Sequence, residues 1–437
     1  MKKVTSQDIG IIADDDIDYT EKLNQYMSEQ TEEVEIRFLP GRYRFESNII
    51  AKNNISLFGP ASDEIAVFFS RNGNAISLGA DATVDINNYF KLRKIIFDNI
   101  IIRFLGENKK GIRIRCCAFI NSKTPTNIDP NQSRNNAQLD VRNSSYDVRN
   151  NIFMRGKNFP GIGISTYKNT STKLTGNFLG SFKDISKAKT YLESETLSLL
   201  SLMKDKSSSL NLEEDEGNFV SAWYATDELK DSTFTKNFIS GNTLSKLHNP
   251  ETDSEDIDRD HIIYIKHYNN VVISQNFFSG WPTDAHGQLK ARNAENLVLV
   301  GNYLEQTSVN ARAYKSSKNL FFRNTYILNN FISEGEINYY QDFVDSDSLK
   351  IDVKDFLVFG NHFKASNIEK TRIKGTPRNS SQEFYYTKTS NVYDDDNQKV
   401  VASKEFQDIS EEVIKAKIPE EYQRYVSTSW IVPGSDV

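Results

Sequence analysis

The chain is poor in the residues that build special scaffolds. Among 437 residues there are two cysteines, Cys116 and Cys117, and they are adjacent. Adjacent side chains in a strand point to opposite faces, so a disulfide between them would be strained. They read as reduced strand residues packing as small apolar groups. With them go any disulfide framework and any CxxC metal pair. Glycine (21) and proline (10) are sparse, which excludes collagen and Pro-rich disorder. No stretch approaches the ~18 apolar residues of a membrane span. No block of lysine and arginine is present, which argues against nucleic acid as a partner. Phosphate-cradling glycine loops and GxSxG are absent too.

What is there is a folded, charged chain: 38% hydrophobic, 26% charged, net charge −6. Residues 9–33 carry Tyr19, Leu23, Tyr26 and Met27 at helical spacing, with Asp16 or Asp18 able to cap the start. From residue 34 the texture changes to short alternating strands separated by Pro40-Gly41 and Asn53-Asn54 turns.

One unit then recurs to about residue 366: a short apolar strand bounded by asparagine. Asn270-VVISQ-Asn276, Asn296-LVLVG-Asn302 and Asn319-LFFR-Asn324 are members. Their starts lie 26 (296 − 270) and 23 (319 − 296) residues apart. Such a period with several short strands means a stacked solenoid, each repeat one coil. Asparagine suits the bends because it tolerates the left-handed region, and stacked asparagines can hydrogen-bond along the axis. The expected organisation is an N-terminal capping segment (1–34), a solenoid (35–370) and a C-terminal tail or cap (371–437). A helical insertion falls near 182–216, and the acidic, aromatic stretch 333–353 reads as a flap or inert excursion.

RFLPGRYRF (37–45) followed by NNISLFGP (53–60) resembles the opening coils of the pectate-lyase-like β-helix superfamily. The resemblance implies an all-β, right-handed, single-stranded parallel β-helix. A narrower one lies in HGQLKARNAENLVLVGN (286–302) and NARAYKSSKNLFFRN (310–324). These resemble the chondroitinase B and alginate lyase group, polysaccharide lyase family six. That group implies a Lys base on one coil and an Arg partner on the next, here Lys290 and Arg312, 22 residues on (312 − 290).

Strand alternation tests this separately. Leu289 and Ala291 form the apolar set, so Lys290 and Arg292 point outward. Val309, Ala311 and Ala313 do likewise, so Asn310, Arg312 and Tyr314 point outward. Tyr264 and Lys266 oppose Ile263 and Ile265. Tyr264, Lys290 and Arg312 are therefore expected as one outward ladder, with Lys266, Arg292 and Tyr314 beside it. His286 on the preceding loop is a candidate acid/base. Asp284-Ala285-His286 is similar to the Asp-Pro-His element of mannuronan epimerases, with Ala in place of Pro. Arg292, Tyr314, Lys266, Asn310, Trp281 and Asp284 are the candidate substrate-binding residues. His261 and His267 share the face of Ile263 and read as core or corner residues. An outward Lys or Arg is also an ordinary solvated position.

The expected activity is β-elimination on a uronic-acid glycan. A hydrolase or C5-epimerase on the same fold is the second reading, and a non-catalytic glycan-binding or tail-spike-like protein the third. Asp256, Asp258 and Asp260 are either a solvated loop, the carboxylates of a hydrolase, or calcium ligands, the one cofactor that the sequence leaves open. The partner is a polysaccharide, with no nucleic acid and no membrane. A virion spike would be a homotrimer and a free enzyme a monomer. No apolar run of signal-peptide length follows Lys2-Lys3, so cytoplasm, virion and secretion with the leader removed all remain.

Overall fold

The computed structural model describes residues 1–51, 54–79, 90–104, 108–122, 137–142, 144–154, 162–168, 171–206, 209–210, 212, 221–226, 229–241, 246–249, 254–258, 261–279, 289–313, 321–341, 352–376, 382–394 and 398–426. They form two compact units. The first comprises Met1–Tyr224 with Lys246–Asp258, the second Ala225–Ser245 with Arg259–Val437.

In the first unit, parallel strands stack coil upon coil. Val4, Ile36, Leu57, Leu92, Ile114, Val148 and Leu174 occupy successive register positions. From Ile36 onward each is at most 1% exposed. Alternation of period two places every second side chain inside, and parallel register puts like on like. Phe97, Phe119 and Phe153 stack at 5.2 and 4.7 Å between centroids. The helix Thr20–Ser28 buries Leu23 and Met27. Asn24 ties it to a coil: its amide donates to the Asn48 carbonyl at 2.9 Å and its Oδ1 accepts from the Ile50 N–H at 2.8 Å. Asp18 receives the N–H of Thr20 at 3.0 Å, just ahead of the helix. The insertion is helical at Ile185–Ala188 and Ser194–Asp205.

The cysteines are free, as expected, but sit in a bend rather than a strand. Cys116 has φ +53°. Cys117 is fully buried, and burial pushes its thiol up to about 12.

The second unit repeats the scheme with three strands per coil. Phe234, Ile273, Leu299, Ile327, Val358 and Tyr386 form one stacked column. Phe238, Phe277, Tyr303 and Phe331 form another, their rings 4.8 to 5.0 Å apart. This is the parallel β-helix that the repeat implied.

Inside the turn between the second and third strands runs an asparagine ladder. The N–H groups of Asn237, Asn276, Asn302, Asn330 and Asn361 each donate to the Oδ1 of the next asparagine, ending on Asn391, at 2.9 to 3.1 Å. Each side-chain amide also donates to that same oxygen. From Asn276 onward it donates back to a carbonyl of the preceding coil as well. All six are at most 2% exposed.

Two expectations fail. The solenoid does not stop at residue 370: Ile373–Thr376 pairs with Ile337–Gln341, and Gln382–Tyr386 with Asp352–Phe359. The strand QEFYY breaks the apolar pattern, but Asn391 carries the ladder one coil further. Nor are residues 337–341 a flap. They are a coil strand paired with Val309–Ala313, their aromatics alternating with polar residues like any other rung. Gln407–Asp408 pairs in turn with Gln382–Tyr386, and only then do helices follow, at Glu411–Lys417 and Glu420–Gln423. Ile414, Ile418 and Val426 cover an outward apolar patch of Val298, Val300, Tyr326, Leu328, Leu357 and Phe359. Among the described residues no helix is long and apolar enough to cross a membrane.

Asn330→Ala strips partners from a buried N–H and two carbonyl-type acceptors. Each costs roughly 1–3 kcal/mol when left unmade, so a loss of about 3 kcal/mol is expected, read as a lower denaturation midpoint. An exposed Asn270→Ala change should cost less than half as much.

Candidate functional site

Register places Tyr264, Lys266, Lys290, Arg292, Asn310 and Arg312 on the outward face of the second unit's first sheet, the one formed by 263–269, 289–295, 309–313, 337–341 and 373–376 ahead of the second. Tyr264 pairs with Lys290, Lys290 with Asn310, Asn310 with Asn338 and Asn338 with Lys374. The column beside it runs Lys266, Arg292, Arg312, Tyr340, Thr376. Ile263, Ile265, Leu289, Ala291, Val309 and Ala311 fill the interior, each at most 1% exposed.

The straight ladder Tyr264–Lys290–Arg312 is therefore corrected. Lys290 stands opposite Asn310, and Arg312 opposite Arg292. The coil from 290 to 310 is 20 residues, two fewer than the spacing assumed. A slip of two preserves which face a side chain takes, so alternation cannot detect it. Lys290 and Arg312 stay on neighbouring coils, offset diagonally by two positions.

Outward does not mean exposed here. Lys290 is 3% and Tyr264 6% exposed. The Lys290 Nζ lies 2.8 Å from Nε2 of His261, which is itself 4% exposed. The His261 ring stacks on Tyr264 at 5.8 Å and 13°. The Arg292 guanidinium sits 5.0 Å over the other partner of that stack, the Tyr264 ring. Arg312 sits 5.2 Å over Tyr340. Cation–π contact on a fixed ring holds each guanidinium against the sheet.

His261 is buried, as a core residue would be, and its ring nitrogen meets the lysine. It precedes the strand Ile263–Ser274, so strand parity does not govern where it points. Nothing in the local pattern marked it. Asn338, Tyr340 and Lys374 were missed for a different reason: they follow from register once the coil lengths are known.

At the far end Glu336 bridges Lys370 at 2.6 Å and Lys374 at 2.9 Å. Burial alone would raise its carboxyl, but hydrogen bonds from the two lysines outweigh it and hold the group below its ordinary range.

His286, Trp281, Asp284 and Tyr314 lie outside the described residues, as does Asp260. Asp256 and Asp258 belong to a strand, Ser254–Asp258, paired antiparallel with Lys246–Asn249 in the first unit, not to a loop. Among the described residues no group of three or more His, Cys, Asp or Glu could hold a metal.

The sequence matches no protein-family model and no curated protein. Solved structures do match. An alginate lyase, AlyF-OU02, in complex with G6 aligns over 94% of this chain and 88% of its own, at 10% identity and TM-score 0.50. A PL6 family alginate lyase, AlyGC, aligns over 96% of this chain and 57% of its own, at 13% identity and TM-score 0.46. ORF18 of Geobacillus virus E2 aligns over 79% and 62%, at 12% identity and TM-score 0.37. The chain thus spans less than two thirds of the length of the last two. An epimerase module and a bacterial surface adhesin match as well, at TM-scores 0.43 and 0.38. The likeness is one of fold, the parallel β-helix, which carries several activities and none.

Because the Glu336 carboxyl is held low, its contribution to stability is fully present above the unfolded glutamate value of ~4.3. It is lost as pH falls through the lower folded value. The stability gap between wild type and Glu336→Gln should be constant near about pH 6 and narrow progressively as pH falls below about 4, measured by thermal denaturation.

Proposed function

We propose that the chain cleaves a uronic-acid-containing polysaccharide by β-elimination, from the face carrying Tyr264, Lys290, Arg292 and Arg312. The observation that carries this reading is the recessed Lys290 amine, 2.8 Å from the His261 ring nitrogen, with two guanidiniums on the adjacent column. A nitrogen–nitrogen contact that short shares one proton between the two groups.

The chemistry divides as follows. A guanidinium holds the uronate carboxylate bidentately and takes up charge as it moves onto that group. The Lys290 amine removes the C5 proton, and its contact with His261 Nε2 keeps it in position. The C5 electron pair forms the C4=C5 bond, and the C4–O bond breaks. The Tyr264 hydroxyl protonates the departing oxygen and recovers its proton from the lysine at the end of the turnover. Asn310 and Asn338, further along the first column, meet the hydroxyls of the adjoining sugar. Burial of the lysine shields the amine from bulk water.

The test is a panel of uronate polymers with the purified chain, following the near-ultraviolet absorbance of unsaturated sugar ends. Lys290→Met should lower kcat by at least ~10²-fold, the usual worth of a positioned base. Arg312→Ala should raise KM and lower kcat together. Cleavage that yields only saturated ends would sink the elimination reading in favour of hydrolysis. Inversion at C5 without cleavage would point to epimerisation.

A further inference from the structure

A second cavity lies on the same unit, around the left-handed bend from the lysine face. It has a volume of about 340 Å³ and is walled by Lys230, Asp231, Asn270, Tyr326, Glu421 and Tyr422, among others. That volume falls at the small end of the range for ligand pockets. Neither the lysine face nor the proposed elimination uses any of these residues.

The cavity is built from the fold upward. Asp231, Asn270 and Asn296 sit at the bend between the first and second sheets, at φ +45°, +61° and +57°. They are locked to their neighbours: Asn270 donates to Asp231 at 2.7 Å, and Asn324 donates to Asn296 at 2.7 Å. The opposite wall is the C-terminal helical segment. Ile414, Ile418 and Val426 seat it on the outward apolar patch. The Gln423 amide fixes the turn before Tyr422, donating to the Ile418 carbonyl at 2.7 Å. Tyr422 and Tyr326 face each other at 6.2 Å between centroids, inclined by 41°.

The chemistry of the walls selects the occupant. The half-buried Tyr422 ring offers an apolar face for the C–H side of a sugar ring, with a hydroxyl at its edge, and Tyr326, 3% exposed, backs it. Carboxylates and amides around them pair with sugar hydroxyls, which donate and accept at once. Charge excludes a polyanion. Asp231 and Glu421 outnumber Lys230, and burial with the nearby Asp355 carboxylate pushes the Tyr326 hydroxyl up to about 12. Lys417 is paired to Asp355 at 2.9 Å.

We infer that this cavity binds a neutral saccharide of one or two rings, at a site separate from the uronate-cleaving face. The inference stands whether or not that face cleaves anything.

Ligand-observed saturation-transfer NMR on the full chain tests it, with maltose, cellobiose and lactose as probes. Glucuronate and glucosamine serve as anionic and cationic controls. At least one neutral disaccharide should receive saturation. Asp231→Asn keeps the bend and the acceptor for Asn270 while removing the charge, and should weaken that binding about tenfold, as for a lost hydrogen bond to a charged group. Tyr422→Ala should abolish it, with circular dichroism reporting the fold, and Lys290→Met should leave it unchanged. If Tyr422→Ala unfolds, Asp231→Asn decides. The proposal is overturned if no neutral disaccharide binds, if only a charged control does, or if binding is indifferent to Asp231→Asn.

Discussion

A column of six buried amides governs the second unit. A parallel sheet leaves its backbone groups unpaired wherever the chain turns inward, and an unpaired group in a dry interior is expensive. Asparagine is short enough to reach both the next coil and the preceding one from the same turn. Each of the four inner amides, Asn276, Asn302, Asn330 and Asn361, satisfies donors and acceptors on three levels, so no rung can be moved alone. The spacing of coils and the register of the strands beside them are set together. Insertions are tolerated only where they leave the turn intact, which is why coil length can vary from 20 residues (290 to 310) to 39 (234 to 273).

The functional face inherits its precision from that constraint. Side chains in one column stand about one strand spacing, ~4.8 Å, apart. Tyr264, Lys290, Asn310, Asn338 and Lys374 are therefore held at fixed intervals on rigid strands, with Lys266, Arg292, Arg312 and Tyr340 alongside. The proposed substrate, a repeating glycan, would meet a repeating surface. The aromatic rings perform a second task here, since Tyr264 and Tyr340 pin the guanidiniums that would otherwise sample many rotamers.

The fold was legible because its cause is local and repeated. Asn270, Asn296 and Asn302 announce bends, and the strands between them alternate cleanly. The site was legible only in part. Parity assigned Tyr264, Lys290 and Arg312 to one face, but parity is blind to a two-residue slip, so the partner of Lys290 came out as Arg312 instead of Asn310. His261 lay beyond the reach of any pattern. Its place depends on how the chain enters a strand, a tertiary matter. The last coil was missed because Gln382–Tyr386 breaks the apolar rhythm, although Asn391 was present to mark it.

The two faces of one coil carry opposite electrostatics, and the cause is again the bend. The strands Ile263–Ser274 and Leu289–Val300 each cross from the first sheet to the second. Before the bend their outward positions are Tyr264, Lys266, Lys290 and Arg292. After it they are apolar, Val298 and Val300, and need a cover. The C-terminal segment supplies that cover, and it brings Glu420 and Glu421 with it. A cationic strip and an acidic, tyrosine-lined cavity thus arise from the same strands, separated by one left-handed residue. The fold imposes no chemistry on either. It fixes where side chains stand, and the change of charge across Asn270 and Asn296 decides which ligand each face can attract.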